Sequence, residues 1–172
     1  MKKIALLLFV LSVSFAYASA QATGTVAVTV GAEAVISASA ATLTNGATNF
    51  SAPFTGTTTV TYSIRTTKTG GTGSITAKVT TDFSCITNGP CVATPPTGDA
   101  LKYVCAGFSK GALGTCTTAV AISTSTAQTL ATFGADAHAN ADTGTLSWTM
   151  NDDPLYPTGT YTATVTYTIS AS

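Results

Sequence analysis

His138 is the single histidine of the chain, and Asp136 and Asp142 stand on either side of it. An imidazole beside a carboxylate supplies two members of a Ser-His-Asp nucleophile system, whose third member must be a serine brought up to the ring. Serines are plentiful, but no strand-turn-helix elbow singles one out. His138 therefore reads as an exposed histidine within the small-residue segment Gly134–Thr143. Asn151-Asp152-Asp153 is the densest acidic run. Paired carboxylates can hydrolyse glycosides or ligate calcium. These two stand directly before Pro154, where Asn and Asp side chains close turns by bonding their own backbone. Gly70-Gly71-Thr72-Gly73 lacks the Lys-Ser/Thr pair and the helix of a phosphate loop, so it reads as a turn. Asn49-Phe50-Ser51 fits a glycosylation sequon. No residue is assigned to catalysis, to a cofactor or to a metal, and the chain is expected not to be an enzyme.

Cys85, Cys91, Cys105 and Cys116 all lie mid-chain. An even count in an exported protein reads first as two disulfides. The Asn88-Gly89-Pro90 turn can fold Cys85 back onto Cys91, and Gly107, Gly111 and Gly114 let the chain return from Cys105 to Cys116. That favours Cys85–Cys91 with Cys105–Cys116. The concentric pairing, Cys85–Cys116 with Cys91–Cys105, stays open. The spacings lack the close cysteine pairs of structural zinc sites, and no C-x-x-C redox pair occurs.

The elements that must position these groups are strands. Tyr161 to Ile169 alternates apolar residues with threonine without a break, the pattern of a strand with one buried and one wet face. The same alternation places Val26, Val28 and Val30 on one face near the start. It recurs in Thr58–Arg65, Ser74–Thr80, Leu101–Ala106, Thr118–Ser123, Thr126–Phe133 and Thr145–Met150. Gly70-Gly71 predicts a hairpin between Thr58–Arg65 and Ser74–Thr80. Thr145–Met150 is expected to pair with the final strand, with Trp148 as the largest core residue. Leu43, Phe50 and Phe54 are expected to anchor the irregular stretch Ala38–Phe54. Tyr103, Phe108, Tyr156 and Tyr161 fall near loops or strand ends, and Tyr156, between Pro154 and Pro157, is a candidate binding-loop contact. The expected fold is all-β, an immunoglobulin-like antiparallel sandwich of about seven to nine strands, because two packed sheets bury such faces where one open sheet would not.

Lys2 and Lys3, an apolar run from Ile4 to Phe15, and Ala18-Ser19-Ala20 together read as a cleaved signal peptide over residues 1–20. The run is too short for a spanning helix, so no stable membrane insertion is expected after cleavage. Residues 21–172 then form a single domain with a sizeable core. That part carries five basic against seven acidic side chains, without the basic patch that nucleic acid needs. Charged residues make up 8% of the chain, while threonine supplies about a fifth. A surface of threonine suits strands and water together but leaves little charge to guard sheet edges. Secreted, periplasmic or cell-surface placement is expected.

The segment Gly159–Ile169 resembles the C-terminal strand of spore coat protein U-like and related pilin-like chaperone–usher proteins. Trp148, the acidic turn before Pro154 and the Val26–Val30 start extend the likeness. The resemblance implies an incomplete sandwich that accepts a strand from the next subunit, with Val26, Val28 and Val30 as a candidate donor strand. The pilin disulfide near the N-terminus is absent, and the cysteines lie mid-chain instead. The expected role is a structural or surface protein, with copies of itself or other surface subunits as partners. The alternative is a monomeric adhesive or carbohydrate- or protein-binding module that uses loops at one sandwich end, such as Phe83–Asp99 and Gly134–Thr143.

Overall fold

The computed structural model describes residues 25–47, 49–92 and 100–172. The signal peptide, its cleavage point and the stretch 93–99 lie outside them. Ten strands follow in order: β1 Glu33–Ala38, β2 Thr44–Asn45, β3 Phe54–Arg65, β4 Gly73–Thr81, β5 Lys102–Gly107, β6 Ala112–Leu113, β7 Val120–Ala121, β8 Gln128–Phe133, β9 His138–Met150 and β10 Thr164–Ala171. Seven of them are six residues or longer, and the other three are two-residue pairings. Among the described residues one 3-10 turn, Thr115–Thr117, interrupts them.

The strands form two antiparallel sheets packed as a sandwich. The first has the order β1-β3-β9-β5-β7, with β2 paired onto the start of β3. The second has the order β10-β4-β8-β6. Alternation decides which side chains enter the core. Val60, Tyr62 and Ile64 of β3 face Ile75, Ala77 and Val79 of β4, and Leu146, Trp148 and Met150 of β9 complete the layer. Intervening threonines point outward, as the period of two requires.

Two expected hairpins do not form. β3 and β4 follow one another across the Gly70-Gly71 turn, yet they belong to different sheets. β9 and β10 likewise separate: β9 lies between β3 and β5, while β10 bonds only to β4. The connection from Asn151 to Ala163 is long enough to cross between sheets, so sequence adjacency does not force pairing. β9 also begins earlier than expected, at His138, because β3 continues to Arg65 opposite it. A bulge between Tyr62 and Ile64 absorbs the extra residues of β9, and Ala141 there has φ 51°.

Tyr103 and Phe108 are buried, contrary to the expectation of loop aromatics. Tyr103 is an inward residue of β5, and Phe108 turns into the core after Gly107. Leu43 and Phe54 pack on the core as expected, whereas Phe50 is exposed. The favoured cysteine pairing is the one present, Cys85–Cys91 and Cys105–Cys116. Two disulfides fit an oxidising, non-cytoplasmic compartment, and no helix of the described residues is long and apolar enough to cross a membrane.

Candidate functional site: an open seam between the sheets

One end strand of each sheet, β1 and β10, lies on the same side of the sandwich, with β7 and β6 as the opposite ends. β1 bonds to β3 alone and β10 to β4 alone, while β1 and β10 pack beside each other across the sheets. Their inward residues, Ala34 and Ile36 on β1 and Val165, Tyr167, Ile169 and Ala171 on β10, touch the core but remain partly exposed. Toward the Ala38 end the seam widens into a cavity of about 850 Å³. Its walls include Leu43, Phe54, Trp148, Met150, Tyr156 and Tyr167.

The lining also carries the carboxylates of Asp152 and Asp153 and several hydroxyls, those of Thr42, Thr160 and Thr162 among them. Trp148 Nε1 donates to Thr58 Oγ1 at 2.9 Å in a buried pair. Burial pushes the Tyr167 phenol up to about 12, against the pull of its hydrogen bond with Thr58. The cavity therefore offers apolar and aromatic surface with acidic but no basic residues in its lining, which suits apolar side chains on an extended chain better than an anionic ligand.

The segment before β1 is the converse. Residues 25–32 belong to no strand, and Val26, Val28 and Val30 are 90%, 80% and 62% exposed. The alternation expected of a strand is present, but no ladder forms, because a lone segment gains its hydrogen bonds only by pairing. Arg65 holds the base of this segment: its Nε donates to the Gly31 carbonyl at 2.7 Å and its Nη2 to Glu33 Oε2 at 3.1 Å.

The other candidates separate. His138 Nδ1 lies 3.9 Å from Asp136 Oδ1 on the exposed start of β9. Asp142 instead accepts from the Tyr62 hydroxyl at 2.7 Å and from Ser109 Oγ at 3.0 Å. The Tyr62 bond holds the Asp142 carboxyl below its ordinary value, and burial first, then the Asp142 bond, push the Tyr62 phenol up. Ser109 is thus tied to a carboxylate without the histidine between them. Gly107-Phe108-Ser109-Lys110-Gly111 has the G-x-S-x-G spacing of a nucleophile elbow. Here it links two strands, and Gly107 and Phe108 take the left-handed backbone, φ 79° and 51°, rather than the serine. An elbow needs a strand leading into a helix.

In the acidic turn, Asp152 accepts from Asn45 Nδ2, and Asp153 Oδ1 accepts from the Leu155 amide at 2.7 Å. The Asp153 bond is turn closure, as expected, whereas the Asp152 bond ties the turn to β2. Among the described residues no three His, Cys, Asp or Glu side chains gather as metal ligands. Tyr156 is partly buried against the core and lines the wide end of the seam. The two loops expected to share one end of the sandwich lie at opposite ends. Gly134 follows Phe133, which pairs with Gly73 at the start of β4, whereas Phe83 follows the far end of β4 at Thr81.

No family model, curated protein or solved structure matches the chain.

Proposed function

We propose that this chain is an exported, non-enzymatic structural subunit that assembles by lending the strand Thr25–Val30 to the open seam of a neighbouring copy. One observation carries the reading. An exposed segment with three alternating valines precedes a sandwich whose β1 and β10 edges border a partly exposed apolar seam. A borrowed strand would satisfy the backbone groups of β1 or β10 while its valines cover Ile36, Val165 and Tyr167. Burying each valine favours the complex by about 1.5–3 kcal/mol before the costs of association are met. The low charge of the chain supports the reading, since little repulsion opposes close packing of copies. The likeness of the final strand to pilin-like proteins points the same way.

The test is the mass of the native secreted protein in solution, purified without boiling or reductant. A ladder or fibre that disappears when residues 21–31 are deleted is the expected result. A stable species of one chain's mass would overturn the reading. In that case the aromatic wall of the cavity, Trp148 with Tyr156, favours the second reading: a monomeric module that binds an apolar or carbohydrate ligand at this end.

A further inference from the structure

We infer that the link Gly31-Ala32 is set in the wrong parity for the chain to fill its own seam, so that the lent strand is forced into a second copy. The inference rests on the strand-lending reading above and adds to it the reason why exchange, rather than self-closure, results.

Thr25–Val30 runs directly into β1, whose outer edge is bare. The shortest way to close the seam is a hairpin on that edge. Gly31-Ala32 has the residue order of a two-residue II′ turn, with glycine at the first central position. Such a turn sets Val30 opposite Glu33, Val28 opposite Val35 and Val26 opposite Ser37. Residues directly opposite one another share a face of the sheet. Glu33, Val35 and Ser37 form the outward face of β1, and Val35 is 63% exposed. The turn chemistry written into the chain therefore aims all three valines at solvent and presents Thr25, Ala27 and Thr29 to the seam. A slip of one residue exchanges the faces.

The other routes are closed as well. A three-residue loop, Gly31–Glu33, would set Val30 opposite Ala34 and turn the valines inward. Its third position is the one that takes left-handed backbone and favours glycine. Glu33 occupies it, pairs with Arg65 in the β1–β3 ladder and bonds the Arg65 guanidinium. Reaching the edge of β10 instead would require the same two residues to pass from one sheet to the other and reverse direction, although β1 and β10 pack beside each other. A segment from a second copy has no covalent tie to β1 and can adopt either face.

A single glycine inserted after Gly31 tests the inference in the full secreted chain. It leaves a Gly-Ala turn but moves Val30 opposite Ala34 and Val28 opposite Ile36. The self-paired strand then competes at an effective concentration of about millimolar. The expected result is a monomer at micromolar protein with amide protection over Thr25–Val30, while insertion of two glycines restores the mismatch and the assembly. Should the insertion disturb folding, a second variant leaves the link untouched: T25V/V26T/A27V/V28T/T29V/V30T exchanges the two faces of the segment and should also give monomers. Assembly of the one-glycine chain equal to that of the unaltered chain would overturn the parity argument and leave strand lending standing. An unaltered chain that is monomeric, and indifferent to Val28→Asp, would overturn both.

Discussion

Phe108 lies flat against Gly144. A Cβ built on Gly144 would fall 2.2 Å from Phe108 Cε2, and Gly107, itself at φ 79°, pairs with Gly144 across β5 and β9. The contact lets a fully buried ring enter the core from a tight turn and stack on Tyr62, with centroids 5.8 Å apart. Gly144→Ala should therefore push the ring out of place. Overpacking of this kind costs about 1–3 kcal/mol, occasionally more. Urea denaturation of the variant checks it; an unchanged midpoint would mean that the ring is free to move.

Tyr62 and Asp142 define how stability depends on pH. The Asp142 carboxyl is held below its ordinary value of 3.8, chiefly by the Tyr62 hydroxyl. Folding thus favours its charged form. The stability this contributes is present above about pH 4 and is lost as pH falls through the lower folded value. The phenols of Tyr62, Tyr103 and Tyr167 are raised above 10.0, all mainly by burial. Their contribution is present below pH 10 and is lost as pH rises through the folded values. A plateau between these limits is expected in thermal melts. Asp142→Asn should flatten the acid limb, and Tyr62→Phe should soften the alkaline one. A melt profile that ignores Asp142→Asn would show that the pair does not couple to folding.

How much of this was legible beforehand differs by element. The faces of β3, β4 and β10 follow directly from alternation in Val60-Tyr62-Ile64, Ile75-Ala77-Val79 and Val165-Tyr167-Ile169. Alternation names a buried face but not a partner, which is why β9 and β10 seemed a hairpin and are not. Nor does it say whether a partner lies in the chain at all: Val26–Val30 has the same pattern as β10 and forms no strand. The seam itself was invisible, since it depends on which strands fall at the sheet edges. The burial of Phe108 was equally hidden, because it hangs on left-handed backbone at Gly107 and Phe108. The cysteine pairing was readable because glycine and Asn-Gly-Pro turns bring each pair together locally.

The two disulfides should differ in accessibility. Cys105 and Cys116 are both buried and join β5 to the Thr115–Thr117 turn inside the core. Cys85 is exposed, in a loop beyond β4. Mild reductant on the native protein should open Cys85–Cys91 first and leave Cys105–Cys116 until unfolding. Removing the buried bridge should destabilise by about 2–4 kcal/mol. Alkylation with mass mapping after timed reduction reads the order directly. Simultaneous loss of both bridges would indicate that the core opens as readily as the loop.

Trp148 is the only tryptophan, and it lines the wide end of the seam. Its indole N–H is satisfied by Thr58, and its ring lies 5.4 Å from Tyr103. Trp148 is only 3% exposed, so filling the cavity would remove the little water left beside the indole, and its emission should move slightly to shorter wavelength. A chain lacking residues 21–31, given a peptide with the sequence of 25–31, should show this shift saturably. The same peptide carrying Val28→Asp should not, since a carboxylate entering this apolar surface, lined also by Asp152 and Asp153 and by no basic residue, would lose its hydration without a partner. Thr58→Val separates the indole from the seam: it leaves the buried N–H unsatisfied at a cost of about 1–3 kcal/mol, yet it should preserve the peptide response. Emission that stays constant while the peptide binds would place the strand along the narrow β1–β10 contact and away from the cavity, leaving the wide end for another occupant.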